Sequence, residues 1–397
     1  MYSLLLVIIY IAFISLGLPD SLLGSSWPVM YQQFGVPLSC VGIVSMIVSG
    51  GTIISSLLSD RLTKKLGAGL VTALSVMMTA VALFGFSIST SLIHLCLWAV
   101  PYGLGAGAVD AALNNYVALH YASRHMSWLH CFWGVGAAVS PFIMSYCLVS
   151  GWGWSSGYRS VAGIQVILTV ILFISLPLWK RRPVSDNSRE TPAAALGLMQ
   201  VLKIRGVKFV LLAFFGYCAL ETTTGLWASS YLVTYRGIDA DTAARFASLF
   251  YLGITFGRFL CGFLADKAGD KRLIRVGIIT ILAGIVMVWL PVQLNLLTLL
   301  GLIVIGLGCA PVYPSLIHST PANFGKENSQ AIIGIQMASA YLGSTFMPPL
   351  FGLIANHISI GAYPFYLVCF AVLMFLMFEQ LTRVMAQKQK SCGRTEN

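Results

Sequence analysis

The chain has 397 residues, 57% of them hydrophobic and only 9% charged, against roughly 25% charged residues in a soluble domain. So few charges cannot cover a water-facing surface of this size, which excludes a soluble globular protein. The net charge of +11 does not point to nucleic acid, because the basic residues sit in short loops between apolar runs and form no stripe with interleaved aromatics.

Many of the apolar runs reach the roughly 20 residues that a bilayer helix needs. They predict an all-α polytopic membrane protein of about twelve transmembrane helices. In the first half the runs fall at roughly 3–32, 38–61, 69–88, 93–121, 127–150 and 158–180. The first run lacks a basic leader and a small-residue cleavage site, so it is expected to be a span rather than a cleaved signal. The polar stretch 181–205 reads as a linker, with Arg181, Arg182, Asp186, Arg189 and Glu190 beside Pro183 and Pro192. The second set falls at roughly 206–235, 241–266, 272–291, 296–322, 328–355 and 360–384. The expected organisation is a six-helix half over 1–180, the linker, a second half over 206–385 and a tail over 386–397.

Basic residues alternate by loop. One side receives Arg61, Lys64, Lys65, Arg124, the linker cluster, Lys267, Lys271, Arg272, Arg275 and Lys326; the other receives Arg159, Arg236 and Arg245. The excess of positive charge on the cytoplasmic side then predicts cytoplasmic termini and a multi-pass protein of the plasma (inner) membrane. The nine cysteines are scattered, mostly within apolar runs, without metal-ligand spacing.

The two halves echo each other. Asp20, Gly24, Trp27 and Tyr31 recur in order as Glu221, Gly225, Trp227 and Tyr231. Asp60-Arg61, followed by Lys64, Lys65 and Gly67, recurs as Asp266-Lys267, followed by Gly269, Lys271 and Arg272. Gly103 and Gly105 return as Gly306 and Gly308, and Gly136 and Pro141 return as Gly343 and Pro348. Matches in one order and at nearly one offset predict two related six-helix halves, and transporters built that way bind substrate near the midplane.

The Asp60-Arg61…Lys64-Lys65-x-Gly67 loop resembles the signature loop of the major facilitator superfamily, over a chain that fits it along its whole length. Within that superfamily, the stretches Gly103–Tyr116, Leu129–Gly136, Glu221–Trp227 and Gly308–Pro314 resemble the fucose:proton symporter family. The resemblance implies cation-coupled uptake of a sugar or related small polar molecule. It also implies a gating role for Asp60, Arg61, Lys65, Asp266, Lys267 and Arg272, through ion pairs at helix ends. Because Lys267 stands in place of Arg61 and Gly269 comes early, gating is expected to rest mainly on the first copy.

Charge at a helix centre in a bilayer costs about 2.5–3.5 kcal/mol for an Asp on insertion scales. Asp20, Asp110 and Glu221 lie within helices, with no cation at matching depth, and are the expected proton-coupling residues. Asp110 and Asn114 share a helix face, as do Asp20, Gly24 and Trp27. With Asn115, His130, Trp133, Glu221, Trp227, Tyr313 and Gln336 they form the expected substrate-binding set. A carboxylate and an indole suit a sugar, the first for its hydroxyls and the second for its C–H face.

A proton-driven efflux carrier is the alternative, although Ser140-Pro141 departs from the Gly-Pro that often ends the fifth helix of that class. No HExxH, GxSxG or phosphate-cradling loop is present, so neither an enzyme nor an ATP-driven pump is expected. The expected partners are a small polar solute and the lipid bilayer, with no nucleic acid and a functional monomer. No cofactor is expected beyond a coupling ion, a proton with sodium as the other option.

Overall fold

The computed structural model describes residues 2–37, 40–180, 197–238, 240–290 and 295–392. The first expected helix is two: α1 (Tyr2–Asp20) and α2 (Leu22–Phe34). Pro19 accounts for the interruption, since it has no N–H to donate and its ring crowds the carbonyl of Ser15 one turn back. The chain continues through α3 (Val41–Leu66), α4 (Ala68–Ser87), α5 (Leu92–His120), α6 (Ser123–Val149) and α7 (Gly153–Lys180). A short α8 (Leu198–Lys203) falls within the expected linker, whose residues 181–196 lie outside the described ones. There follow α9 (Val207–Thr234), α10 (Ala240–Ala268), α11 (Asp270–Trp289) and α12 (Asn295–His318). Then come a short α13 (Thr320–Phe324), α14 (Lys326–His357) and α15 (Tyr363–Cys392). α15 carries helix into the expected tail, of which 393–397 lie outside the described residues.

Among the described residues, 11 spans are long and apolar enough to cross a membrane, α1 and α2 counting together as Leu4–Trp27. The twelfth expected helix is α14, which is 32 residues long but less apolar. Its Ser329, Gln330 and Gln336 are buried, so its polar groups turn inward, where a membrane helix can carry them. Large apolar side chains such as Phe142, Val149 and Ile174 lie exposed instead, as a lipid-facing surface requires.

The chain divides into two compact units. One holds Met1–Tyr116 and Leu129–Leu196; the other holds Val117–Trp128 and Gly197–Asn397. The turn between α5 and α6 therefore packs with the second unit, although it lies in the first half of the sequence. In the first unit, a core of Leu22, Trp27, Met30, Leu83, Phe86, Met144 and Tyr158 gathers around α2, α4 and α7.

The repeat is visible in backbone packing. A Cβ at Gly103 would overlap the Val48 carbonyl oxygen, and a Cβ at Gly306 would overlap that of Phe250. Gly136 lies in the same way against Ile14, and Gly343 against Phe215. Only glycine lets these helices approach so closely. Gly67 and Gly269, which open α4 and α11, share a left-handed φ of 79° and 76°.

These matches set the register. Val48 corresponds to Phe250 and Gly67 to Gly269, an alignment that puts Asp266 opposite Lys64, one helical turn on from Asp60. The sequence pairing of Asp60 with Asp266 is corrected accordingly: the acid-base dipeptides look alike, but the backbone crossings decide the correspondence.

Candidate functional site

Asp20 ends α1, at the break created next to Pro19. Its two carboxylate oxygens have different donors: Tyr102 Oη of α5 at 3.1 Å and Trp133 Nε1 of α6 at 2.9 Å. Among the described residues no cation pairs with it. The same acid borders a cavity of about 250 Å³ whose wall includes Gly24, Ser45, Ser49, Phe86, Tyr102 and Tyr158. Carboxylate, hydroxyls and aromatic rings thus meet in one concave space, the composition of a small-molecule site.

Asp110 is held on its own helix by Asn114, whose Nδ2 donates to Asp110 Oδ1 at 2.8 Å. His130 Nε2 lies 3.1 Å from Asn114 Oδ1. An amide oxygen only accepts, so His130 carries a proton on Nε2. The ring of Phe13 packs edge-on against His130, at a centroid distance of 5.4 Å. Asn114, Asn115 and His130 are all buried. The i,i+4 reading of Asp110 and Asn114 is thus realised as a direct hydrogen bond.

In the second unit, Glu221 of α9 meets Arg258 of α10, with Nη2 at 3.4 Å from Oε1. The expectation that none of the buried acids has a cationic partner fails here. Arg258 sits on another helix, and a single sequence does not record which turns of two helices meet. Tyr217 Oη lies 3.5 Å from the same Nη2. Tyr313 packs on Tyr217 and Phe214, at centroid distances of 5.7 and 4.6 Å, and its hydroxyl reaches Met337 Sδ at 3.4 Å. Gln336 is fully buried; its Oε1 accepts from Thr320 at 3.0 Å, and its Nε2 has no hydrogen-bond partner among the described residues.

The two repeat tryptophans stand elsewhere. Trp27 is buried in the first unit's core and does not border the Asp20 cavity: the break at Ser21 separates its helix from that of Asp20, and within α2 Gly24 borders the cavity while Trp27 turns into the core. Trp227 donates to the Pro348 carbonyl at 2.9 Å and packs on Phe351, so α14 takes it up.

Of the expected gating residues, Asp60 is buried and accepts from Lys64 of its own helix at 3.1 Å. Asp266 instead pairs with Arg124 at the start of α6, through both the side chain and the backbone N–H. Arg124 and Asp266 lie far apart in the sequence, so the second copy takes part in an ion pair between separate helices. Arg61, Lys65, Lys267 and Arg272 are exposed and form no ion pair among the described residues. Sequence reasoning missed Tyr102, although it stands directly before the Gly103 run, and it missed Asp270 and His318, which no motif marks.

The sequence pattern of the Major Facilitator Superfamily matches residues 9–244 and 209–391. The chain belongs to this superfamily. This major facilitator is 23% identical over 404 residues to Bypass of stop codon protein 6 of Saccharomyces cerevisiae, spanning 93% of this chain and 80% of the yeast protein. It is 23% identical to the 4-hydroxybenzoate transporter PcaK of Acinetobacter baylyi, over 74% of this chain and 71% of that one. Among solved structures, the E. coli fucose:proton symporter FucP shares its fold, with a TM-score of 0.74 at 17% identity over 96% of this chain and 98% of FucP. The protein is a multi-pass membrane transporter of the major facilitator fold, a superfamily it shares with carriers such as the 4-hydroxybenzoate transporter.

Proposed function

We propose that this major facilitator takes up a sugar or a similar small polar solute together with a proton, by alternating access. The observation that carries the reading is the setting of Asp20. Its carboxylate lines a cavity with serine hydroxyls and aromatic rings, and its two partners are neutral donors rather than a cation. A carboxylate so placed can accept from solute hydroxyls and exchange a proton with water, while Phe86 and Tyr102 offer faces to sugar C–H groups. The likeness to the fucose:proton symporter supports the same reading.

In this proposal Asp20 serves both solute and proton. Asp110, steadied by Asn114, is a second proton-exchanging group, and Glu221 takes part when its contact with Arg258 opens. The protein works as a monomer in the plasma (inner) membrane with cytoplasmic termini, with the proton as coupling ion and no other cofactor.

The test is solute-driven pH change in proteoliposomes, with and without sodium, across a panel of sugars, 4-hydroxybenzoate and a lipophilic cation. At least one sugar is expected to drive proton entry with or without sodium. If no sugar moves a proton or sodium while the lipophilic cation does, the protein is an efflux carrier and the symport reading is wrong.

A further inference from the structure

One titratable cluster in the second unit is not used by the reading above. His318 closes α12, Asp270 opens α11, and Tyr121 and Ser123 belong to the α5–α6 turn. His318 Nδ1 lies 2.7 Å from Asp270 Oδ2, and its Nε2 lies 3.2 Å from the backbone carbonyl oxygen of Tyr121. Ser123 Oγ donates to the other Asp270 oxygen at 2.5 Å.

These contacts fix the proton count. A carbonyl oxygen has no proton to give, so Nε2 must donate. A carboxylate has none either, so Nδ1 must donate as well. A neutral imidazole carries one N–H and can satisfy only one of the two. Holding both contacts takes one additional proton, and between imidazole and carboxyl the imidazole is the stronger base.

The surrounding charges leave that proton to this pair. Asp266, at the end of α10, also acts on His318 through its field, but it is engaged by Arg124. His125 lies beside Arg124 and Asp266. Asp270 is the one carboxylate in direct contact with the His318 ring among the described residues. Histidine and carboxylate side chains are each about one-fifth exposed, at 20% and 16%, so the proton can exchange with water.

We propose that His318 is a proton site whose charge state holds or releases the α5–α6 turn. As an imidazolium it ties the turn's backbone at Tyr121 to α11 through Asp270. On giving its proton to water, the ring keeps one of the two bonds and the turn loosens. The bridge therefore links protonation of His318 to the hold on Val117–Trp128 within the second unit. Nothing in this depends on which solute is carried.

The test reads no transport, so it stands or falls apart from the symport proposal. In the reconstituted full chain with ring-¹⁵N histidine, magnetic resonance reports the protonation of His318, assigned by signal loss in His318→Gln. Hydrogen–deuterium exchange over Val117–Trp128, corrected for the intrinsic amide rate at each pH, reports the turn. The ring is expected to be doubly protonated wherever the turn is protected. Exchange should rise about tenfold once the ring is neutral, the loss of one charge-assisted hydrogen bond. His318→Gln and Asp270→Asn should exchange fast throughout about pH 5 to 8. A neutral ring beside a protected turn overturns the proposal, as does a wild-type turn whose protection ignores the ring's titration. If neither variant folds, the His318 signal is assigned by elimination from single replacements of the other five histidines, and the wild-type titration decides.

Discussion

Trp133 and His130 sit one turn apart on α6 and reach the two acids of the first unit by different routes. Trp133 donates straight to Asp20 at 2.9 Å, whereas His130 meets Asp110 through Asn114, over 3.1 and 2.8 Å. One helix thus organises both carboxylates. α6 is itself fixed against the start of the chain, by Gly136 at Ile14 and by the 2.8 Å contact of Ser140 with Ser21 at the helix break. A small displacement of α6 along its axis would alter the surroundings of both acids together.

Asp20→Asn is expected to abolish concentrative uptake while solute exchange between the two sides persists, because an amide can hydrogen-bond a hydroxyl but cannot carry a proton in the cycle. Tyr102→Phe and Trp133→Phe should keep coupling but weaken solute binding about tenfold, each losing one hydrogen bond to a charged group. Counterflow and pH-driven accumulation in proteoliposomes separate the two effects. If Asp20→Asn still accumulates solute against a gradient, the coupling role passes to another acid.

Trp27 should behave differently. It is packed among Leu22, Met30 and Tyr158 in the core. Trp27→Ala removes a large buried ring and should cost about 3–5 kcal/mol of stability. Thermal unfolding in detergent should show the loss, with the half-saturating solute concentration of the surviving protein unchanged. A shift in that concentration without a loss of stability would return Trp27 to the binding set.

Much of this was legible in the sequence. Apolar runs located the spans, and the glycines of the repeat turned out to be the points where helix backbones touch. Pro19 carries a signal for the break at Ser21 that the expectation of one run over 3–32 passed over, and Asp20 and Trp27 share a face only in an unbroken helix. Partners across helices were the least legible. Glu221 with Arg258, Asp266 with Arg124 and His318 with Asp270 each depend on how far one helix is shifted along another, and a periodicity argument carries no information about that shift. The repeat misled at Asp266 for the same reason: similar dipeptides sit one turn apart once the backbone register is fixed.

The Glu221–Arg258 pair is largely buried, so removing one partner strands the other. Arg258→Met should destabilise the protein by about 3–5 kcal/mol, and Glu221→Gln combined with Arg258→Met should recover most of that loss. Unfolding midpoints of the single and double variants check it. Equal destabilisation by the single and double variants would mean that Arg258 matters through packing with Tyr217 rather than through its charge.

The Arg124–Asp266 pair is more exposed, so its contribution to stability should be small, about 0–1 kcal/mol. Its effect should appear instead in how firmly the α5–α6 turn is held. Ala122 lies exposed in that turn and offers a reporter position as Ala122→Cys. In that background, Arg124→Gln should label up to about fivefold faster with a thiol reagent, the rate equivalent of about 1 kcal/mol. The charge swap of Arg124→Asp with Asp266→Arg should restore slow labelling. Because exposed charges are screened by salt, raising the ionic strength should speed labelling of the otherwise unaltered protein and leave the Arg124→Gln variant unmoved. Salt-independent labelling in both would show that the backbone hydrogen bond from Arg124 to Asp266, not the ion pair, holds the turn in place.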